Sequence, residues 1–165
     1  STSRGLGDVY KRQPSYISPI LSAIQSDLCE SGIDGVLSAH IQRDALEKFS
    51  YVSPIGAAGV YLHAVAGDFQ KEGPARELFK SMIREISALA AAMGYPFEKD
   101  YVKINLEILS NLSADATTSM QRDIMEGKPS ELDGLVMEPL RLAKKYSVSM
   151  PCYEEVANVL CPLEF

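Results

Sequence analysis

Residues 117 to 134, Thr-Thr-Ser-Met-Gln-Arg-Asp-Ile-Met-Glu-Gly-Lys-Pro-Ser-Glu-Leu-Asp-Gly, turn the chain through a tight corner. Gly127 is free to take the left-handed conformation that closes a helix. Pro129, two residues later, denies that helix any continuation. Ser130 is placed to cap a second helix, with Asp133 three residues on as a near capping box. The segment therefore predicts two helices, one from about Asp115 and one from Glu131. Ser119 falls on the first and Glu131 in the first turn of the second. Pro139 is expected to bend the second helix.

The rest of the chain carries the same periodicity. Ser18 caps and Pro19 opens a helix with Ile20, Leu21, Ile24 and Leu28 on one face, stopping near Gly32. A longer pattern runs from about Ser38 through Ile41, Ala45, Phe49 and Val52. Pro54 should kink or break it, with resumption to about Val65. Ala75 to Met93 is the clearest amphipathic helix. Its Leu78, Phe79, Met82, Ile83, Ile86, Leu89 and Ala90 recur at three- and four-residue spacing, and Gly94 ends it. Glu98 to Leu109 forms another, and a last helix runs from Pro151 to about Leu160. No strand alternation, internal repeat or low-complexity tract appears. The expected fold class is all-α, a bundle of about seven helices.

Charge narrows the function. The chain carries −6 in total, and residues 1–13 hold +2 of opposite sign, leaving −8 on the remainder. An acidic domain without a basic stripe is a poor nucleic-acid binder, because phosphate contacts need Lys and Arg. No apolar run reaches the roughly 18 residues of a membrane span. Cys29, Cys152 and Cys161 are odd in number and lack metal-site spacing, which indicates reduced, buried thiols in a cytoplasmic protein. Walker loops, paired-Cys zinc patterns and Gly-x-Ser-x-Gly elbows are absent. No metal is expected.

Residues 1–13 read differently from the rest. Asp8-Val9-Tyr10-Lys11-Arg12-Gln13 is the translation of a sequencing-library adapter, GAT GTG TAT AAG AGA CAG. Native sequence is then expected to begin near Pro14, with an unknown length preceding it. The domain proper is residues 14–165, about 150 residues, enough to bury roughly two-thirds of its unfolded surface.

Taken alone, Lys48 is a helix-surface lysine, Ser119 a helix-surface serine, and Glu131 a first-turn carboxylate favoured by the helix dipole. The pattern Ser-Met-x-x-Asp-Ile-x-x-Gly-x-Pro-Ser-Glu-Leu-Asp, from Ser119 to Asp133, changes their weight. It resembles the C-terminal domain of ketopantoate reductases (2-dehydropantoate 2-reductases). The segment Glu47-Lys48-Phe49, leading to the Ser53-Pro54 break, resembles that family's segment bearing its catalytic lysine. Ala66-Gly67-Asp68-Phe69 matches the helix end that follows. The resemblance implies hydride transfer from NADP to a 2-keto acid. Lys48 would give its proton to the carbonyl oxygen, Ser119 would hold the substrate and Glu131 would contact the cofactor. The implied partners are a small 2-keto acid, the chain's own N-terminal Rossmann domain and a second copy in a homodimer.

The departures are equally specific. The family's asparagines, one and two turns beyond the lysine and near the helix end, are Val52, Gly56 and Ala66 here. Ser53 is the candidate to replace one of those substrate contacts. Losing several amide groups argues against ketopantoate as the substrate, since discrimination by hydrogen bonding depends on them. No Gly-x-Gly-x-x-Gly turn lies in residues 14–165 to cradle a pyrophosphate. Two functions stand: the substrate half of an NADP-dependent 2-keto acid reductase, inactive alone, or a non-catalytic helical dimerisation module on the same fold. Deleting residues 1–13 is expected to leave the Tm unchanged by calorimetry. A drop of several degrees would make the leader part of the fold.

Overall fold

The computed structural model describes residues 18–161, and the leader, residues 1–13, lies outside them. All regular structure among the described residues is helical. In order these are α1 (Pro19–Glu30), α2 (Ile41–Leu62), α3 (Ala66–Gln70), α4 (Pro74–Ala92), α5 (Tyr101–Ser110) and α6 (Ser119–Met125). A π-helical segment (Asp133–Met137) then leads into α7 (Glu138–Tyr146), and α8 is Pro151–Leu160. The all-α expectation holds, with eight α-helices rather than about seven among the described residues.

Residues up to Ala45 form one compact unit and those from Leu46 another. In the first, Ser18 caps α1 by accepting from the Leu21 N–H at 3.3 Å, with Pro19 in the first position. The chain folds back after Gly32, and Gln25 Nε2 donates to the Gly35 carbonyl at 2.7 Å. No residue of α1 is buried. The stripe Ile20, Leu21, Ile24 and Leu28 is therefore amphipathic in sequence but exposed in the structure.

The second unit is built on α4, which packs against α3, α5, α7 and α8. Phe79, Met82, Ile83, Ile86 and Leu89 are all buried, each worth roughly 1.5–3 kcal/mol of transfer free energy. Phe79 meets Tyr51 and Phe69 edge-on, with ring centroids 6.0 and 5.9 Å away. Edge-to-face contact suits the ring quadrupoles and fixes α2 and α3 against α4.

Of the two outcomes expected at Pro54, a kink or a break, the break does not occur. The helix runs unbroken from Ile41 to Leu62. A proline has no N–H, so the Ser50 carbonyl, four residues earlier, loses its intrahelical donor. Asn105 on α5 replaces it: Nδ2 donates to Ser50 O and to Ser50 Oγ, both at 3.0 Å. Ala66 to Phe69, read from sequence as a helix end, instead opens α3. His63 takes a left-handed φ of 50° just after Leu62 and separates the two helices.

Glu85 on α4 serves α8 in a similar way. Pro151 opens α8 without needing a donor partner, and its N-cap, Met150, offers no side-chain oxygen. The Glu85 carboxylate accepts from the N–H groups of Cys152 at 2.8 Å and Tyr153 at 3.1 Å. A carboxylate at a helix N-terminus also meets the positive end of the dipole. Burial first, and then this carboxylate, push the Cys152 thiol up to about 11. None of the three cysteines is in a disulfide, and they are not all buried: Cys29 is exposed, Cys152 and Cys161 half-buried. Glu85→Ala should lower stability by about 1–2 kcal/mol in urea titrations, the range for a lost cap. At pH 8 Cys29 should be alkylated rapidly, and Cys152 only on unfolding or in Glu85→Ala. Equal rates at both thiols in the unaltered chain would contradict the cap.

Candidate active site

Lys48, Val52 and Gly56 recur at four-residue spacing and lie along one face of α2. The Gly56 end of that face is tightly packed. A Cβ added there would stand 3.1 Å from Met120 Cε and 3.9 Å from both Thr118 Oγ1 and Leu135 Cδ1. Ser119 lies between the first two of these residues, at the start of α6. Leu135 lies one turn beyond Glu131 and donates its N–H to the Glu131 carbonyl at 2.9 Å. The start of α6, which bears Ser119, and the segment that follows Glu131 thus meet α2 at Gly56. Lys48 is two turns, about 12 Å of rise, from Gly56.

Backbone approach makes this convergence possible. Gly59, one turn beyond Gly56, admits Gln121: an added Cβ would come within 2.8 Å of its amide. The Gln121 side chain is buried and hydrogen-bonded at both its nitrogen and its oxygen. Nε2 donates to the Ala64 carbonyl at 2.8 Å, while Oε1 accepts from the Thr118 N–H at 2.9 Å. Thr118 Oγ1 accepts in return from the Gln121 N–H, completing a capping box on α6. Ala66 and Gly67 donate their N–H groups to Ala116 and Ala114, at 2.9 and 2.7 Å. The start of α6 is thereby tied to α2 and α3 on both sides.

The corner after α6 forms as its residues predict, with Gly127 at φ 67°. The second helix starts differently. Asp133 does not act in a capping box; Arg141 holds its carboxylate, and also bonds Glu138 at 3.0 Å. The guanidinium keeps the Asp133 carboxyl below its ordinary value. The backbone winds into the π-helical segment before Pro139 rather than simply bending at it.

Lys48, Ser119 and Glu131 are all exposed. Among the described residues none of the three side chains makes a hydrogen bond or ion pair. Ser53 is the opposite case. It is fully buried, donates to the Leu135 carbonyl at 2.6 Å and shares a 2.6 Å bond with the Tyr153 hydroxyl. A hydroxyl has one proton. Ser53 gives it to Leu135, whose carbonyl can only accept, so Tyr153 donates to Ser53. Burial pushes the Tyr153 phenol well above its ordinary range, which keeps that proton in place. Ser53, expected to touch substrate, is committed to the fold.

Residues 40–164 match the family model described as ketopantoate reductase PanE/ApbA C terminal. The chain belongs to the ketopantoate reductase family. It is 24% identical over 135 residues to a 2-dehydropantoate 2-reductase of Nostoc sp., covering 82% of this chain and 42% of that one. The 2-dehydropantoate 2-reductase of Methylococcus capsulatus superposes with a TM-score of 0.79 at 23% identity, over 90% of this chain and 47% of the other. A D-mandelate dehydrogenase solved with NADH and anilino(oxo)acetate shares the fold, with a TM-score of 0.71 at 18% identity, over 83% and 45%. The chain spans about two-fifths of the length of the curated relatives it matches.

Within this ketopantoate reductase domain, Asn105, Gln121 and Tyr153 are buried polar groups that periodicity did not single out. Their one signal in the sequence is a polar side chain on an otherwise apolar helix face, which does not name its partner. Ser53→Ala should leave two buried groups unmet, the Leu135 carbonyl and the Tyr153 hydroxyl, at about 1–3 kcal/mol each. Adding Tyr153→Phe to it should recover part of the loss in denaturant titrations. A Ser53→Ala variant of unchanged stability would free Ser53 for a ligand role after all.

Proposed function

We propose that this domain is the substrate half of a nicotinamide-dependent 2-keto acid reductase, with Lys48 as proton donor to the substrate's carbonyl oxygen. The observation that supports the reading is the packing of the start of α6 and of the segment after Glu131 against α2 at Gly56, two turns from Lys48. Among the described residues the side chains of Lys48, Ser119 and Glu131 are left without partners. Structural polar groups in this domain, such as Ser53 and Gln121, are consumed by the fold. Groups kept exposed and unpartnered on converging elements are available to a ligand.

NADP fits this chain at one point. Glu131 presents an exposed carboxylate, unpartnered among the described residues and able to accept from a ribose hydroxyl, whereas the sequence of residues 14–165 has no Gly-x-Gly-x-x-Gly turn to cradle a phosphate. The main cofactor site therefore belongs to a separate N-terminal Rossmann domain. When bound, NADPH supplies the hydride that reaches the carbonyl carbon. The residues of this chain supply the rest. As the carbonyl π pair moves to oxygen, the Lys48 ammonium stabilises the developing charge and transfers one proton to it, giving the 2-hydroxy acid. A lysine suits this task as a compact charge with three donors. Ser119 orients the substrate by a hydrogen bond from its hydroxyl.

The substrate differs from ketopantoate on this reading. Val52 and Ala66 offer no side-chain hydrogen bonds. An asparagine at position 56 would require Met120 to move, because its Cε already stands 3.1 Å from where the Cβ would be. The loss of these hydrogen-bonding side chains therefore favours smaller or more apolar 2-keto acids. Joined to a nicotinamide-binding domain, Lys48→Ala should lower kcat by roughly 10²- to 10⁴-fold. Glu131→Ala should act mainly on the KM for NADPH. The isolated chain should be inactive, because positioning of the nicotinamide supplies much of the rate. Ketopantoate should be turned over less efficiently than keto acids with apolar tails. An undiminished kcat in Lys48→Ala would end the mechanism, and a preference for ketopantoate would end the substrate assignment.

A further inference from the structure

We infer that Asn105 is a positioning residue that sets the direction in which α2 presents Lys48, an inference that rests on the reductase reading only for its catalytic consequence. Asn105 is 1% exposed on α5, and its amide reaches α2 at the turn that follows Lys48. The Ser50 carbonyl can only accept, so the nitrogen of the Asn105 amide must face it. One N–H meets Ser50 O and the other Ser50 Oγ, both at 3.0 Å. The Ser50 hydroxyl passes the link on, donating at 2.7 Å to the carbonyl of Glu47. That carbonyl belongs to the peptide unit joining Glu47 to Lys48. Asn105 thus controls both ends of the backbone turn that carries the lysine.

Pro54 explains why α2 needs this support. Its ring crowds the carbonyl four residues back and removes that carbonyl's donor, and the usual outcome is a kink above about 20°. Here the helix carries on past Pro54 without a break. Lys48 lies six residues before Pro54, about 9 Å along the axis. A change of about 20° in the bend at Pro54 would swing it by about 3 Å, enough to lose a near-attack arrangement when a shift of about 1 Å can cost 10²-fold in rate. Asn105 fills the vacated donor position and holds the carbonyl against the proline.

The test is a rescue. Asn105→Leu removes the amide, and Pro54→Ala restores a main-chain N–H to Ser50 O. Spin labels on Lys48→Cys and Asn158→Cys, with the three native cysteines changed to serine, report the direction of α2 by pulsed EPR. Asn105→Leu should shift the mean distance by about 3 Å. The double variant Asn105→Leu/Pro54→Ala should return it to the unaltered value. A lowered Tm with no change in distance would make Asn105 merely structural and overturn the proposal. A shift that persists in the double variant would overturn the link to Pro54. If Asn105→Leu alone does not fold, the double variant decides: folded with the original distance it supports the proposal, and unfolded it refutes it. Joined to a nicotinamide-binding domain, Asn105→Leu should lower kcat by about 10²-fold at unchanged KM for NADPH, with rescue by Pro54→Ala. If Lys48→Ala loses turnover while Asn105→Leu does not, the positioning claim fails. If neither affects turnover, the reductase reading fails, and the EPR result still stands on its own.

Discussion

One backbone carbonyl that a proline strips of its donor organises this domain. Pro54 leaves Ser50 O without its helical partner inside α2. An unmet buried carbonyl costs about 1–3 kcal/mol, so it must find a donor elsewhere. Asn105 reaches it from α5, and three residues on Ser53 donates from α2 to Leu135 O. The proline thereby turns a local defect into a tertiary bond. The two bonds fasten α2 to α5 at Ser50 and to the π-helical segment at Leu135. Tyr153 extends the second link to α8 through its hydroxyl.

The same helix supplies the close approach that brings the site elements in. From Ile55 to Gly59, α2 has small residues except at its first position, and all five are buried. Met120 fills the space over Gly56 and Gln121 the space over Gly59. A larger side chain at position 56 would require Met120 to shift. The absence of a side chain there is part of how α6 packs on α2.

What could be read from the sequence follows from the range of the interactions. Gly127 closing α6, Pro19 opening α1 and the apolar face of α4 depend on neighbours a few residues away, and all appear as expected. That α2 carries on past Pro54 is not legible locally, because the compensating donor is Asn105, 55 residues away by sequence. Ser53 looked like a substrate contact because its partners, Leu135 and Tyr153, lie 82 and 100 residues on. The site's outline came through family resemblance, since Lys48, Ser119 and Glu131 have no local pattern that joins them. A periodic reading sees which face a residue is on, but not which distant group needs it.

Exposure sets the terms on which such a site can work. Lys48 stands in water in this domain. Two unit charges 4 Å apart interact by about 1 kcal/mol in bulk water and about 4 kcal/mol at an effective dielectric constant near 20. On the proposed reading, the ammonium's hold on a developing oxyanion is therefore weak until another surface covers it and excludes solvent. Adding charge to this face would change little, whereas enclosing it would multiply the effect of the charge already there. The geometry of α2 and the cover over it thus play separate roles. The first decides where the proton donor points, and the second how strongly it acts.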